Sequence, residues 1–284
     1  MKKVIITLVS ILVAVAAVLS FLGRGGEYAA EKLFYRASKT IQQIAANPDV
    51  APPAMLMSVE KDLTRIMEKY SKTITAKAAH LKLAEFYMAD KKYDKALKTL
   101  DSMISLNKDN PMIVSRSHFL KGLTYEMQKN WDKALKEYTI LKNKYGTTPL
   151  GIQIPLYIGN YYLKNKMEDQ AKSAYGEAAS AYEKYRTEHK GSMLGYAASG
   201  LLVQAYIGLG DYAKAGEAAK NLIMDYPFTQ TFAQQLPYIE ALYEKRLNQP
   251  EKAIEIYKFV LENTKEPHLK RALKKKIDEL TKTK

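Results

Sequence analysis

The stretches KKYDKALKTL (residues 91–100) and KNWDKALKEY (residues 129–138) are nearly the same. Each contains an aromatic residue, then Asp-Lys-Ala-Leu-Lys, then a large apolar residue at its end. A self-match of this length is rare by chance and predicts an internal repeat of a single supersecondary unit.

The alanine of this motif recurs along the chain at nearly constant intervals, with one longer step between the third and the fourth: Ala96, Ala134, Ala171, Ala215 and Ala253. Nine positions before the first four alanines the residue is tyrosine: Tyr87, Tyr125, Tyr162 and Tyr206. In the last unit Glu244 occupies this offset and Tyr243 is one place out of step. Small and large apolar residues at the other offsets lie on one face at helical spacing, so each unit is predicted to be a pair of helices.

This pattern resembles the tetratricopeptide repeat (TPR), a helix-turn-helix of about 34 residues. The segments LTYEMQKNWDKALKEY (123–138) and AYIGLGDYAKAGEAA (205–219) carry the resemblance most clearly. It implies an all-α superhelical solenoid over residues 27–284, with about six helix pairs and a C-terminal capping helix. We place the pairs at 27–72, 75–110, 112–147, 149–188, 192–228 and 230–264, and the capping helix at 267–281.

Two features depart from the common repeat. The longer step, from Ala171 to Ala215, contains the polar stretch 185–191, which predicts either a loop insertion or a helix extension. Glu168 stands where other turns have an aromatic residue, which leaves the fourth pair the least well defined.

The run from Val4 to Leu22 contains no charge and follows a start that carries Lys2 and Lys3. At about 1.5 Å per residue its length approaches the hydrocarbon thickness of a bilayer. Residues 1–26 are therefore predicted to be a signal-anchor and transmembrane helix, with the N-terminus inside and the repeats exported. A cleaved signal peptide, which leaves a soluble periplasmic protein, is the alternative.

Tyrosines also recur eleven positions after the repeat alanine, as in the joint Tyr226-Pro227-Phe228-Thr229. Such joints are similar to those of periplasmic TPR proteins of the bacterial envelope, of the Bam-complex and Tol-Pal type. The resemblance implies an envelope protein, although this chain has no cysteine to carry a lipid anchor. A single N-terminal span looks more like the translocon-associated TPR proteins.

Composition limits the chemistry. The absence of cysteine excludes disulfides, thiolate catalysis and Cys-ligated zinc. His80 and His118 occupy matching places in adjacent helices, but helices pack about 8–10 Å apart, whereas zinc requires ligands at about 2 Å. No catalytic motif is present, so we predict no enzyme, no cofactor and no metal site.

A TPR solenoid binds partners on the concave surface formed by the first helices of its units. The residues predicted to face a partner peptide or helix there are Arg116, Phe119, Leu123, Glu126, Gln153, Leu156, Asn160, Lys164 and Gln204. The alternative for each is a solvated face without a ligand. We therefore predict a non-enzymatic scaffold or adaptor that binds a protein partner in the cell envelope.

The net charge of +14 leaves a second function open, the binding of a polyanion such as cell-wall polymer, anionic lipid or, less favoured, nucleic acid. The C-terminal segment EPHLKRALKKKIDELTKTK (266–284) is the most basic part of the chain. It is predicted to cap the last repeat, and its candidate contacts with an anionic surface are Lys270, Arg271, Lys274, Lys275 and Lys276.

Overall fold

The computed structural model describes residues 26–47 and 51–282. Within these ranges the protein contains thirteen helices and no strand, which confirms the prediction of an all-α helical repeat. The first helix, α1, covers residues 26–46. The other helices are α2 (Pro53–Lys69), α3 (Ile74–Ala89), α4 (Tyr93–Leu106), α5 (Pro111–Met127), α6 (Trp131–Lys144), α7 (Ile154–Lys164), α8 (Glu168–Glu188), α9 (Met193–Leu209), α10 (Tyr212–Asp225), α11 (Thr229–Ile239, continued as a π-helix over Glu240–Arg246), α12 (Pro250–Asn263) and α13 (Pro267–Lys282). A short 3₁₀ turn at Gly151–Gln153 precedes α7.

The predicted membrane-spanning run, residues 4–22, lies outside the described residues. Among the helices of residues 26–47 and 51–282, none combines the length and the apolar character that a bilayer span requires.

The chain divides into two compact units, Met1–Ile140 and Leu141–Lys284, with the division inside α6. In unit 1 the core lies between α1 and α5 and contains the fully buried residues Leu63, Ile66 and Leu100. Glu27 fastens α1 to the start of α3, because its carboxylate accepts hydrogen bonds from the backbone N–H groups of Ile74 and Thr75 at 3.0 Å.

In unit 2 the core contains Tyr175, Tyr182, Leu202 and Phe232, each at most 2% exposed. Its last helix, α13, buries Leu273 against this core, while Leu269, Ile277 and Leu280 pack beside it. α13 therefore covers the final helix pair, as a capping helix does.

The turns between the two helices of the five pairs from α3–α4 to α11–α12 have the same geometry. A residue in the left-handed region stands there with φ between 51° and 74°: Lys91, Lys129, Lys166, Gly210 and Asn248. The next residue donates its N–H to a tyrosine carbonyl in the first helix, as from Asn130 to Tyr125 at 2.8 Å. These bonds complete helix C-termini that would otherwise leave carbonyls unpaired.

Three of these left-handed positions carry lysine, whose Cβ costs about 1–2 kcal/mol in this conformation. We expect Lys129→Gly to raise the free energy of unfolding by about 0.5–1 kcal/mol, because the relief of strain exceeds the added entropy of the unfolded glycine. Lys136→Gly is the matched control, since Lys136 is exposed inside α6 and the change should lower stability by about 1 kcal/mol. Urea unfolding followed by circular dichroism measures both; a loss of stability in Lys129→Gly contradicts the expectation.

Glycine in the first helix allows an aromatic ring of the second helix to approach its backbone. A Cβ on Gly122 would overlap the Tyr138 ring. In the next pair, a Cβ on Gly159 would lie 2.6 Å from Cδ1 of Tyr175, and one on Gly208 of α9 would lie 2.6 Å from Cε1 of the same ring. Tyr175 thus packs between two glycines that belong to different helices.

The longer step between Ala171 and Ala215 is explained by a longer helix. α8 has 21 residues, whereas α4, α6, α10 and α12 have 14 each. The sequence left open a loop insertion or a helix extension, and the structure has the extension. The polar stretch 185–191 continues α8 as far as Glu188, and its last residues belong to the short turn before α9.

Tyr243 occupies the same structural place as the other repeat tyrosines although it is one position out of step. In three other units the lysine directly before the repeat alanine lies over the tyrosine ring, as Lys95 lies 5.2 Å from the centre of Tyr87. Lys252 lies 5.5 Å from the centre of Tyr243 in the same way. The π-helical segment Glu240–Arg246 has a wider turn and accommodates the additional residue.

Candidate partner-binding groove

A groove of about 580 Å³ opens in unit 2 beside the first helices α9 and α11. One wall comes from the segment before α7, including Pro149 and Ile152. The exposed face of α9 forms the floor, from Met193 to Gln204, and α11 supplies the opposite wall through Gln234 and Gln235.

The groove is neutral in a chain that carries a large positive charge. The described residues that line it include no Asp, Glu, Lys, Arg or His. Apolar side chains and four amides make up most of the surface: Ile152, Met193, Leu194, Leu201, Gln153, Gln204, Gln234 and Gln235. Met193 is 80% exposed, so a flexible thioether stands at the edge, where it can adapt to an apolar partner.

Two predicted contact residues of unit 2, Gln153 and Gln204, meet in this groove. Leu156 does not, because it is 6% exposed and belongs to the core, where the backbone N–H of Leu156 donates to the Tyr182 hydroxyl at 3.2 Å. Asn160 is exposed but accepts a hydrogen bond from the Tyr175 hydroxyl at 2.6 Å. Lys164 is exposed at the end of α7 and does not line the groove.

The four predicted residues of unit 1 lie on α5 and mostly serve packing. Phe119 and Leu123 are half-buried, and the Phe119 ring lies 6.1 Å from that of Tyr138. Glu126 accepts a hydrogen bond from the Tyr138 hydroxyl at 2.5 Å. Arg116 is exposed and forms an ion pair with Glu85 at 3.0 Å.

Unit 1 has a smaller groove of about 350 Å³ between α1 and α3. Its apolar residues include Ile41, Ile44 and Phe86, but Lys82 and Glu85 also line it and pair with each other at 3.1 Å. The two grooves therefore differ in charge.

The basic face of α13 is partly neutralised. Lys276 lies 3.0 Å from Glu244 and 3.6 Å from Glu240, and Lys275 lies 3.6 Å from Glu279. Burial opposes the charge of Lys276, but the hydrogen bonds and charges of Glu244 and Glu240 outweigh it and raise the pKa of this lysine. Arg271 and Lys274 are exposed and Lys270 is half-exposed.

The two histidines with matching positions have separate surroundings. His80 Nδ1 lies 2.8 Å from the carbonyl of Ala76, whereas His118 Nδ1 lies 2.6 Å from the Glu137 carboxylate. Glu137 also contacts Lys121 at 2.8 Å. Burial raises the pKa of Glu137, but hydrogen bonds from His118 and Lys121 outweigh it and hold this pKa below its usual value. These side chains form an internal ion cluster, and the described residues contain no group of ligands suited to a metal.

Sequence reasoning missed Gln234 and Gln235, although the repeat contains a signal for one of them. Gln153, Ala197 and Gln235 share one offset before the repeat alanine of their own unit, and all three line the groove. In the three units of the second half of the chain, this offset therefore marks one groove residue each.

The tetratricopeptide-repeat family matches residues 78–109 and 116–148, which correspond to α3 with α4 and to α5 with α6. No curated protein is significantly similar to the chain in sequence.

Several solved structures are similar in their helical arrangement. BtubC (BKLC) from P. vanneervenii has 13% identity and a TM-score of 0.45, with 88% of this chain and 92% of that chain covered. A tetratricopeptide repeat protein from Parabacteroides merdae has 14% identity and a TM-score of 0.36, with 89% and 99% covered. The TPR2AB domain of yeast Sti1, solved as a pHSP90 complex, has 12% identity and a TM-score of 0.29, with 92% and 99% covered.

The family match falls on the two units in which the Asp-Lys-Ala-Leu-Lys motif is complete and the helix pairs have the expected turn. Residues 78–109 and 116–148 therefore form two repeats that match the tetratricopeptide-repeat family.

Proposed function

We propose that this protein is a non-catalytic scaffold that binds a protein partner along the first helices of its repeats. The observation that carries the proposal is the groove of unit 2, where the segment before α7 and the first helices α9 and α11 bring apolar side chains and amides together. Tetratricopeptide repeats use such surfaces for extended binding.

The chemistry of the groove favours binding over catalysis. Its described lining residues offer amides, hydroxyls, a thioether and hydrocarbon, but no carboxylate, imidazole, amine or thiol. The groove therefore contains no side chain of the kinds that most often transfer protons or attack substrates near neutral pH.

The proposal includes a location, the cell envelope, with the repeats outside the cytoplasmic membrane and residues 4–22 as their tether. The support is the long uncharged run from Val4 to Leu22 behind a basic start. A tether would hold the groove near the membrane and raise the effective concentration of a membrane-associated partner.

The test is site-specific photo-cross-linking in intact source cells that express the full chain. A photoreactive amino acid replaces Gln204 in the groove, and the control replaces Lys172, which is exposed on the second helix α8. We expect one defined protein adduct from position 204 and not from position 172. The adduct should remain with carbonate-washed membranes and be degraded by protease added to spheroplasts.

Equal labelling from both positions contradicts binding in the groove. An adduct released by carbonate, or protected from protease, contradicts the proposed location only. Binding that weakens more than about tenfold between 50 and 200 mM salt, whatever the partner, favours the polyanion-binding alternative through the basic face of α13.

A further inference from the structure

Gln235 is the unusual residue of the unit 2 groove. The residue lines the wall but is only 5% exposed, and its Oε1 is itself buried and has no hydrogen-bond partner among residues 26–47 and 51–282. Buried polar atoms are nearly always paired, because an unpaired acceptor loses its bond to water without a replacement. The neighbouring Gln234 differs, since its Oε1 accepts a hydrogen bond from the Tyr196 hydroxyl at 2.9 Å.

The surrounding side chains determine which ligand can supply the missing donor. A charged ligand group would lose its water in a groove whose described lining residues offer no opposite charge. Such a group would therefore bind weakly there, whereas apolar side chains would cover Ile152, Leu194 and Leu201 favourably.

The same acceptor distinguishes an extended ligand from a helical one. In a helix the backbone N–H groups beyond the first turn are bonded to their own carbonyls, so the helix presents no main-chain donor along its side. An extended chain presents main-chain N–H groups throughout its length and can satisfy Oε1 from the backbone.

We propose that the groove of unit 2 binds an extended polypeptide segment with uncharged, mainly apolar side chains, and that the Gln235 amide turns toward this segment so that one main-chain N–H of the segment donates to Oε1. This inference rests on the proposed function and adds the chemical class and conformation of the partner segment. Specificity then comes from the exclusion of charge together with a single positioned acceptor.

The test uses the full chain and synthetic fluorescein-labelled peptides rich in leucine, valine and serine. Matched peptides carry a central lysine or glutamate, a side-chain staple that enforces a helix, or a single N-methyl group at each backbone position in turn. Fluorescence anisotropy measures Kd for each peptide. We expect the neutral flexible peptides to bind best and one N-methyl position to weaken binding by about tenfold.

A double-mutant cycle tests whether the N–H group at the sensitive N-methyl position donates to Gln235. In Gln235→Leu, we expect the sensitive N-methyl group to change Kd by less than about twofold, because the acceptor is absent. In Gln234→Leu, the matched control at the adjacent position, the roughly tenfold effect should persist. Circular dichroism checks that both variants remain folded.

Three results overturn the inference alone: charged peptides that bind as tightly as neutral ones, a stapled helix that binds more tightly, or an N-methyl effect unchanged in Gln235→Leu. Failure of every peptide to bind, together with equal photo-cross-linking from positions 204 and 172, overturns the proposed function as well.

Discussion

Replacing Tyr175 with alanine is expected to lower the free energy of unfolding of unit 2 by about 3–5 kcal/mol, in the range of other large aromatic truncations. The ring is 2% exposed and lies between the backbones of α7 and α9 at Gly159 and Gly208. No side chain at either glycine can move into the space that the ring leaves, so a cavity remains. Hydrogen exchange of α7, α8 and α9, together with urea unfolding, measures the loss.

Two controls separate the contribution of the buried Tyr175 ring from that of its hydroxyl group and from the effect of removing any tyrosine ring. Tyr175→Phe removes only the hydrogen bond to Asn160 and should cost about 0.5–1.5 kcal/mol. Tyr35→Ala removes a ring that is 71% exposed and should cost less than about 0.5 kcal/mol. If Tyr175→Ala costs no more than Tyr175→Phe, the ring does not hold these helices together. Local exchange is needed beside the global transition because repeat proteins do not always unfold in one step.

Replacing Lys121 with methionine is expected to lower the free energy of unfolding of unit 1 by about 2–4 kcal/mol, since it leaves a buried carboxylate with one fewer charge partner. The side chains of Lys121 and Glu137 are 13% and 11% exposed and lie 2.8 Å apart. Burial disfavours the charge of Lys121, but Asp101 and Glu137 outweigh it and raise the pKa of this lysine. Urea unfolding near neutral pH measures the effect.

The pH dependence of this effect has a definite sign. The pKa of Glu137 is lower in the folded protein than its ordinary value, so its contribution to stability is present above that ordinary value and is lost as the pH falls through the folded pKa. The difference between wild type and Lys121→Met should therefore shrink below about pH 4.3, the usual pKa of glutamate.

The matched control for Lys121 is Lys142→Met in unit 2. Lys142 pairs with Glu177, which is 61% exposed, so its loss should cost less than about 1 kcal/mol. Adding Glu137→Gln to Lys121→Met should recover part of the lost stability, because the unpaired charge is removed. If Lys121→Met and Lys142→Met lower the free energy of unfolding equally, and Glu137→Gln recovers no stability, burial of the ion cluster does not strengthen its ion pairs.

The repeat unit could be predicted from the sequence because its defining contacts join residues that are close together in the chain. The five repeat alanines are at most 3% exposed, and the first four stand at the same offset from their tyrosines. Those offsets are set by the 3.6-residue period, so counting alone predicted paired helices. The same counting placed Gln153 and Gln204, which meet in the groove of unit 2.

Residue spacing gave wrong predictions where the helical period changes, or where the burial of a residue depends on residues distant in sequence. Tyr243 is one position away from the offset of the other repeat tyrosines. The wider π-helical turn nevertheless brings its ring beside Lys252, as in the other units with this contact. Leu156 has the spacing of a groove residue, but α7 is short and its first turn is buried against Tyr182, which lies on the following helix.

By itself, the sequence determined that the chain is a series of helix pairs and which small and aromatic residues share a helix face. These features depend on neighbours within a few turns of one helix, whose geometry is nearly constant. Tertiary structure alone decided that Gln235 is buried without a partner among the described residues and that the groove around it is neutral. Both properties depend on side chains from the segment before α7 and from the separate helices α9 and α11, which come together only by packing.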